Sequence, residues 1–160
     1  MMVDRIDSRT PVALRQWPVV LLRVYTGIFF AYHGIGKLRQ DDFSSGMAGL
    51  LTQTLDTSFS FYRPFLESVI LPSKELFVAL VAWGELSIGL ALILGLATRY
   101  AAFFGAFMVF NFWLANGTGI LDGTNHDIVW FVILIVLGFI PAGKIAGLDD
   151  GLSDKLPFLR

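Results

Sequence analysis

The chain has 160 residues, 55% of them hydrophobic and 16% charged, with a net charge of −1, two histidines and no cysteine. Its mean hydropathy is +0.67; water-facing domains carry about 25% charged residues, so there is too little polar surface here to coat a soluble globule. No basic run suits nucleic acid, the missing cysteines exclude disulfides and iron–sulfur ligation, and two histidines leave no multi-histidine metal site, so no metal is expected.

A helix that crosses a bilayer needs about 20 mostly apolar residues. After a polar tail over residues 1–16, the first such window is Trp17–Leu38, "WPVVLLRVYTGIFFAYHGIGKL". It carries an internal arginine, and its apolar part is too long for a cleaved signal peptide, so it reads as a permanent span. Residues 39–75 form the one long connection. Within it, "FSFYRPFLESVILP" sends Phe61, Phe65, Leu66, Val69 and Ile70 to one side and Ser60, Arg63 and Glu67 to the other, with Arg63 and Glu67 four apart. That spacing predicts an amphipathic helix lying on the membrane interface.

The second span is expected over residues 76–96 and the third over 100–116, joined by a very short turn. The fourth centres on "IVWFVILIVLGFI", 13 residues from Ile128 to Ile140. These cannot cross alone, so the helix is expected to run over residues 124–142, with Thr124 and Asp127 forming a capping box. Residues 143–160 read as a polar, irregular tail. Small residues repeat every four at Ala97, Ala101 and Gly105, a spacing that lets helices approach in lipid. The expected architecture is therefore all-α: a polytopic membrane protein whose domain, residues 17–142, is an antiparallel four-helix transmembrane bundle. Lysine and arginine near the span ends number seven on the side of both termini and four on the other, which places the termini in the cytoplasm.

Three ionisable groups sit within these spans away from their ends, Arg23, His33 and Glu85. An intramembrane charge is costly and marks a functional site by default. Counted from the inner boundary at 1.5 Å per residue, Arg23 lies at roughly 8 Å and Glu85 at roughly 16 Å, with Asn111 level with Glu85. An Arg23–Glu85 pair shared with Asn111 is the expected answer to the carboxylate; the alternative is that Arg23 snorkels to the interface and Glu85 stays protonated. Arg23, Gly27, Gly34 and Lys37 share one stripe of the first helix, and Gly27, Gly34, Gly89 and Gly95 are read as helix-packing positions. At the outer end Lys37, Arg39 and His126 suit a small anion, and Trp113 and Trp130 are read as interfacial anchors.

These residues carry a resemblance. "LRVYTGIFFAYHGIGKL", with Arg23, Gly27, Phe30, His33, Gly34, Lys37 and Leu38, resembles the first-helix signature of DoxX-type membrane proteins. "ELSIGLALILGLATRYAA", from Glu85, resembles the second, and "AGKIAGLD" the closing motif, with Lys144 where arginine is expected. The connection with "FYRPFLESVILP" is similar to the DoxD branch, which includes the large subunit of thiosulfate:quinone oxidoreductase. The resemblance implies a membrane subunit, in the cell (inner or plasma) membrane, that passes electrons from a small sulfur anion to membrane quinone. On that reading Glu85, His33 and Arg23 are the catalytic candidates, with His33 as donor or relay and Glu85 as proton acceptor. Lys37, Arg39, Asn111, His126, Trp83 and Phe30 are the candidate anion and quinone contacts. Quinone is the implied cofactor; a bis-histidine haem on His33 and His126 is disfavoured by so thin a ligand inventory. A small partner subunit, a soluble redox enzyme or a second copy of the chain are the expected partners. The rival reading is a non-catalytic anchor for a soluble redox enzyme; a small transporter is a third, though inverted repeats are not evident.

Overall fold

A computed structural model describes residues 12–39, 49, 54–153 and 155, and these are all helix and turn. The helices are α1 (Val12–Leu38), α2 (Arg63–Phe65, continued by π-helical Leu66–Ile70), α3 (Lys74–Leu94), α4 (Thr98–Asn116), α5 (His126–Phe139) and α6 (Leu148–Leu152). Residues 1–11 of the expected tail, most of 40–53 and all but one of 154–160 lie outside the described residues. Two helical stretches are long and apolar enough to cross a membrane: Gln16–Leu38, with mean hydropathy 1.4, and Lys74–Leu94, with 2.1.

The ends of the helices follow local chemistry. α1 begins five residues before the apolar window because Ala13, Leu14, Arg15 and Gln16 are good helix formers, and Pro18 interrupts the ladder without ending it. α3 stops at Gly95, whose φ of 66° is left-handed and costs a glycine nothing. The Leu96 amide then returns to the Ala91 carbonyl at 2.9 Å, a Schellman-type close. α5 is shorter than the expected 124–142. Asn125, not Thr124, caps it by accepting from the Ile128 amide at 3.1 Å, and Asp127 instead accepts from Asn116 at 2.6 Å. At the other end Ile140 is extended ahead of Pro141, as the residue before a proline prefers to be.

The packing is antiparallel and close. On α1, Gly27 lies against Gly89 and Ile93 of α3, and Gly34 lies against Ala82 and Leu86. A methyl group placed on Gly89 would stand 2.4 Å from the Ala31 nitrogen, so these two backbones touch where any side chain would part them. α4 and α5 pack through Gly105 on Leu134, Gly138 on Phe103 and Phe110 on Phe131. α1 reaches α5 through Trp130, which stacks on Phe29 at 4.0 Å between centroids; the residue read as an interfacial anchor is thus a packing group. Phe30, Ile88, Leu92, Ala102, Ala106, Leu134 and Leu137 form the buried centre.

Residues 142–149 do not behave as a tail. A 3-10 turn at Ala142–Lys144 and α6 fold back against the middle of α1 at Arg23, the end of α3 and the start of α4, burying Ala142, Gly143 and Asp149.

Candidate functional site

The buried carboxylate is answered by Lys37. Its ammonium donates to both oxygens of Glu85, whose side chain is 5% exposed against 21% for that of Lys37. The expected Arg23–Glu85 pair does not form, and helix register gives the reason. Leu86 meets Gly34, so Glu85 lies level with the turn around Gly34. Lys37 is three residues further along α1, within reach of a long side chain. Arg23 is eleven residues the other way, about 16 Å along the axis. His33 precedes Gly34, which meets Leu86, and so lies on the same turn of α1. Its ring is exposed and tilts over Phe29 at 4.4 Å.

Arg23 serves the opposite end of the bundle. It is 1% exposed, and its fork donates to the Ala142 carbonyl at 2.5 Å, the Ile145 carbonyl at 3.0 Å and the Ala146 carbonyl at 3.0 Å. Beside it Asp149 accepts from the Ala97 amide at 2.6 Å and the Thr98 amide at 3.1 Å, which are orphan donors at the start of α4. The Asp149 amide in turn donates to the Gly95 carbonyl at 2.9 Å. The closing motif "AGKIAGLD" is therefore a clasp, held by a guanidinium on one side and a helix-capping carboxylate on the other. Gly95 and Gly147 let it close, since a methyl group on Gly95 would stand 2.6 Å from the Gly147 Cα.

A groove of about 810 Å³ runs between α3, α4 and the segment around α2. Its walls are apolar, from residues such as Phe65, Leu66, Val81, Phe104, Phe107 and Met108. Lys37 reaches the wall of the groove, and so do Asn116 and Asp127. Asn111 is also there, but its partner is not Glu85: its Oδ1 accepts from the Tyr62 hydroxyl at 2.7 Å, and its amide donates to the Phe107 carbonyl at 2.7 Å. Tyr62 is partly buried, and that burial raises its phenol pKa.

The other candidates are scattered. Phe30 is in the core and Trp83 is 60% exposed on the outer face of α3, so neither lines this groove. Arg39 and His126 are exposed at the end of α1 and the start of α5. Lys37 is held by Glu85 rather than presented to solvent as an anion receptor. Tyr62 is not singled out by the sequence, and Asp149 stands there only as the end of the closing motif, without its capping role. Tyr62 gives no sequence signal beyond its place in the amphipathic stretch. Asp149 ends a recognisable motif whose role shows only once its acceptors and donors are seen. Among the described residues no group of three His, Cys, Asp or Glu side chains could hold a metal ion.

Long apolar helices packed backbone to backbone, with an ion pair sealed between them and lipid-facing side chains outside, define a helical membrane protein. The DoxX family matches residues 19–117, and the chain belongs to that family. No curated protein and no solved structure matches it.

Proposed function

We propose that this chain is the membrane subunit of a quinone-linked oxidoreductase, with the Lys37–Glu85 pair as its proton-handling group. The observation that carries the reading is that this pair, buried between α1 and α3, has its lysine on the wall of an apolar groove. In the full reading α1, α3, α4 and α5 all cross the cell membrane, α2 lies along one interface, and both termini are cytoplasmic. The groove suits a quinone on two grounds: its volume is within the roughly 300–1,000 Å³ of small-molecule sites, and its lining is apolar with a few convergent polar groups.

When bound, a quinone supplies a two-electron acceptor whose two carbonyls become hydroxyls by taking two protons. Glu85 and Lys37 would hold and exchange a proton at the carboxylate and the amine, and His33 would relay it toward the outer end. Arg39 and His126 remain to meet a small sulfur anion such as thiosulfate, because Lys37 is neutralised by Glu85. The chain has no cysteine, so electrons reach the groove directly from the donor or through a partner subunit.

The test is quinone reduction by membranes enriched in the protein, with thiosulfate and related sulfur anions as donors. Quinol formation that is lost in folded Glu85→Gln supports the reading. Absence of activity with every donor, with Glu85→Gln instead lowering abundance or releasing a bound soluble enzyme, would favour the anchoring role. The clasp around Arg23 and Asp149 is pure architecture under either reading.

A further inference from the structure

We infer that Tyr62 and Asn111 form the headgroup contact of the groove for a prenylated cyclic dicarbonyl and its dihydroxy form. This rests on the redox reading above and adds to it a ligand position, a new contact residue in Tyr62, and the hydrogen-bond geometry that orients the candidate Asn111.

The pair presents one donor and one acceptor. An asparagine amide has two hydrogens. One of those on Asn111 is engaged by the Phe107 carbonyl, which also sets the amide's orientation. The other hydrogen is left for a ligand. The Tyr62 hydroxyl spends its hydrogen on Asn111 Oδ1, which leaves the lone pairs of its oxygen. A carbonyl needs a donor and a hydroxyl needs an acceptor. A site with both holds the oxidised and the reduced form of the same molecule without moving, which suits a ligand that enters in one state and leaves in the other.

The surroundings select a lipid-soluble ligand. The polar pair stands among Phe65, Phe107, Met108 and Phe112 on the groove wall. The rim residues Leu80, Phe104 and Phe107 are exposed on the outer face of the helices. An apolar tail can therefore lie along the groove and continue over the lipid-facing surface, while water-soluble ligands would gain nothing from these walls. Lys37 reaches the same groove and places the proton-handling pair beside it.

The experiment uses the full chain in nanodiscs with an azido-labelled short-chain quinone, and equilibrium binding of the same quinone and its quinol. The expected result is labelling of peptides spanning residues 62–70 and 104–112. Asn111→Leu should weaken both forms and Tyr62→Phe should weaken the quinol, each by about three- to tenfold, as expected for a lost neutral hydrogen bond. Phe139→Ala, on the outer face of α5, is the matched control and should bind as the parent does. Thermal aggregation of each variant shows that it is folded.

Label spread evenly over lipid-facing residues such as Phe139, or binding by both variants within twofold of the parent, overturns the site. Binding in the groove with no quinol formed under any donor leaves the site standing and instead removes the redox reading. Loss of turnover in Glu85→Gln with unchanged labelling supports both.

Discussion

The Lys37–Glu85 pair makes a prediction that separates architecture from chemistry. Removing one member of a buried pair leaves a charge in hydrocarbon with nothing opposite it, and typically costs about 3–5 kcal/mol. Lys37 keeps about a fifth of its side chain exposed, which lets some water relax the ammonium and puts the expected loss for Glu85→Leu near the low end, about 3 kcal/mol. Lys37→Met alone leaves the better-buried carboxylate and should cost at least as much. The double variant has no charge to strand, and hydrophobic replacement of an ion pair is often neutral or stabilising. The double variant's loss minus the two single losses, the coupling between the sites, should then be about 6 kcal/mol in magnitude, roughly ten-thousandfold in the unfolding constant.

A double-mutant cycle measured by reversible unfolding in mixed micelles reads this directly. If the pair also does chemistry, the double variant will be folded and inert in quinol formation. Additive losses, with the double variant as unstable as the two singles combined, would refute the claim that these side chains neutralise one another inside the bundle.

Three further outcomes follow from the geometry. Asp149→Ala should lose about 1.5–3 kcal/mol, because the Ala97 and Thr98 amides lose charge-assisted acceptors; Arg23→Lys should also destabilise, since an ammonium cannot fork to three carbonyls, and thermal aggregation in detergent measures both. Gly89→Ala should cost at least about 1–3 kcal/mol by driving a methyl group into the Ala31 backbone, whereas Gly36→Ala, which meets nothing within 4 Å, should be tolerated or stabilising. Burial raises the Tyr62 phenol pKa, so its contribution to stability is full below the ordinary value of about 10 and is lost as pH rises through the folded-state value. Alkaline unfolding followed at 295 nm should therefore begin later in Tyr62→Phe; an identical alkaline limb would sink this reading.

Much of the fold was legible because apolar windows of helical length are a strong signal, and α1, α3, α4 and α5 lie where those windows lie. Their ends were less legible. α1 reaches back to Val12 on helix propensity alone, and α5 halts before Pro141 although the residues beyond are apolar enough to continue. Register between helices was the real gap. Depth counted from an assumed membrane boundary put Arg23 nearest to Glu85, whereas the glycine contacts that set the register put Glu85 beside Gly34. The stripe holding Arg23, Gly27, Gly34 and Lys37 already contained both basic candidates, and only the offset between α1 and α3 decides between them. The clasp was illegible for another reason: the acceptors of Arg23 are backbone carbonyls, which no residue pattern displays.

That division of labour along α1 bears on where chemistry can happen. Arg23 and Lys37 lie on one stripe, 14 residues and about 21 Å apart. Arg23 is sealed among carbonyls and its guanidinium does not give up a proton in proteins, so it can anchor the clasp but cannot take part in acid–base exchange. Lys37 and Glu85 are both exchangeable groups, in contact with one another, and Lys37 reaches an apolar groove. The exchangeable pair beside the groove thus lies at the Lys37 end of α1, away from the clasp. The clasp then has a mechanical role: by tying α1, the turn between α3 and α4, and the C-terminal segment together, it reinforces the α1–α3 register that the glycine contacts set. Loosening the clasp with Asp149→Ala should therefore weaken the coupling measured between Lys37 and Glu85, although neither residue touches it.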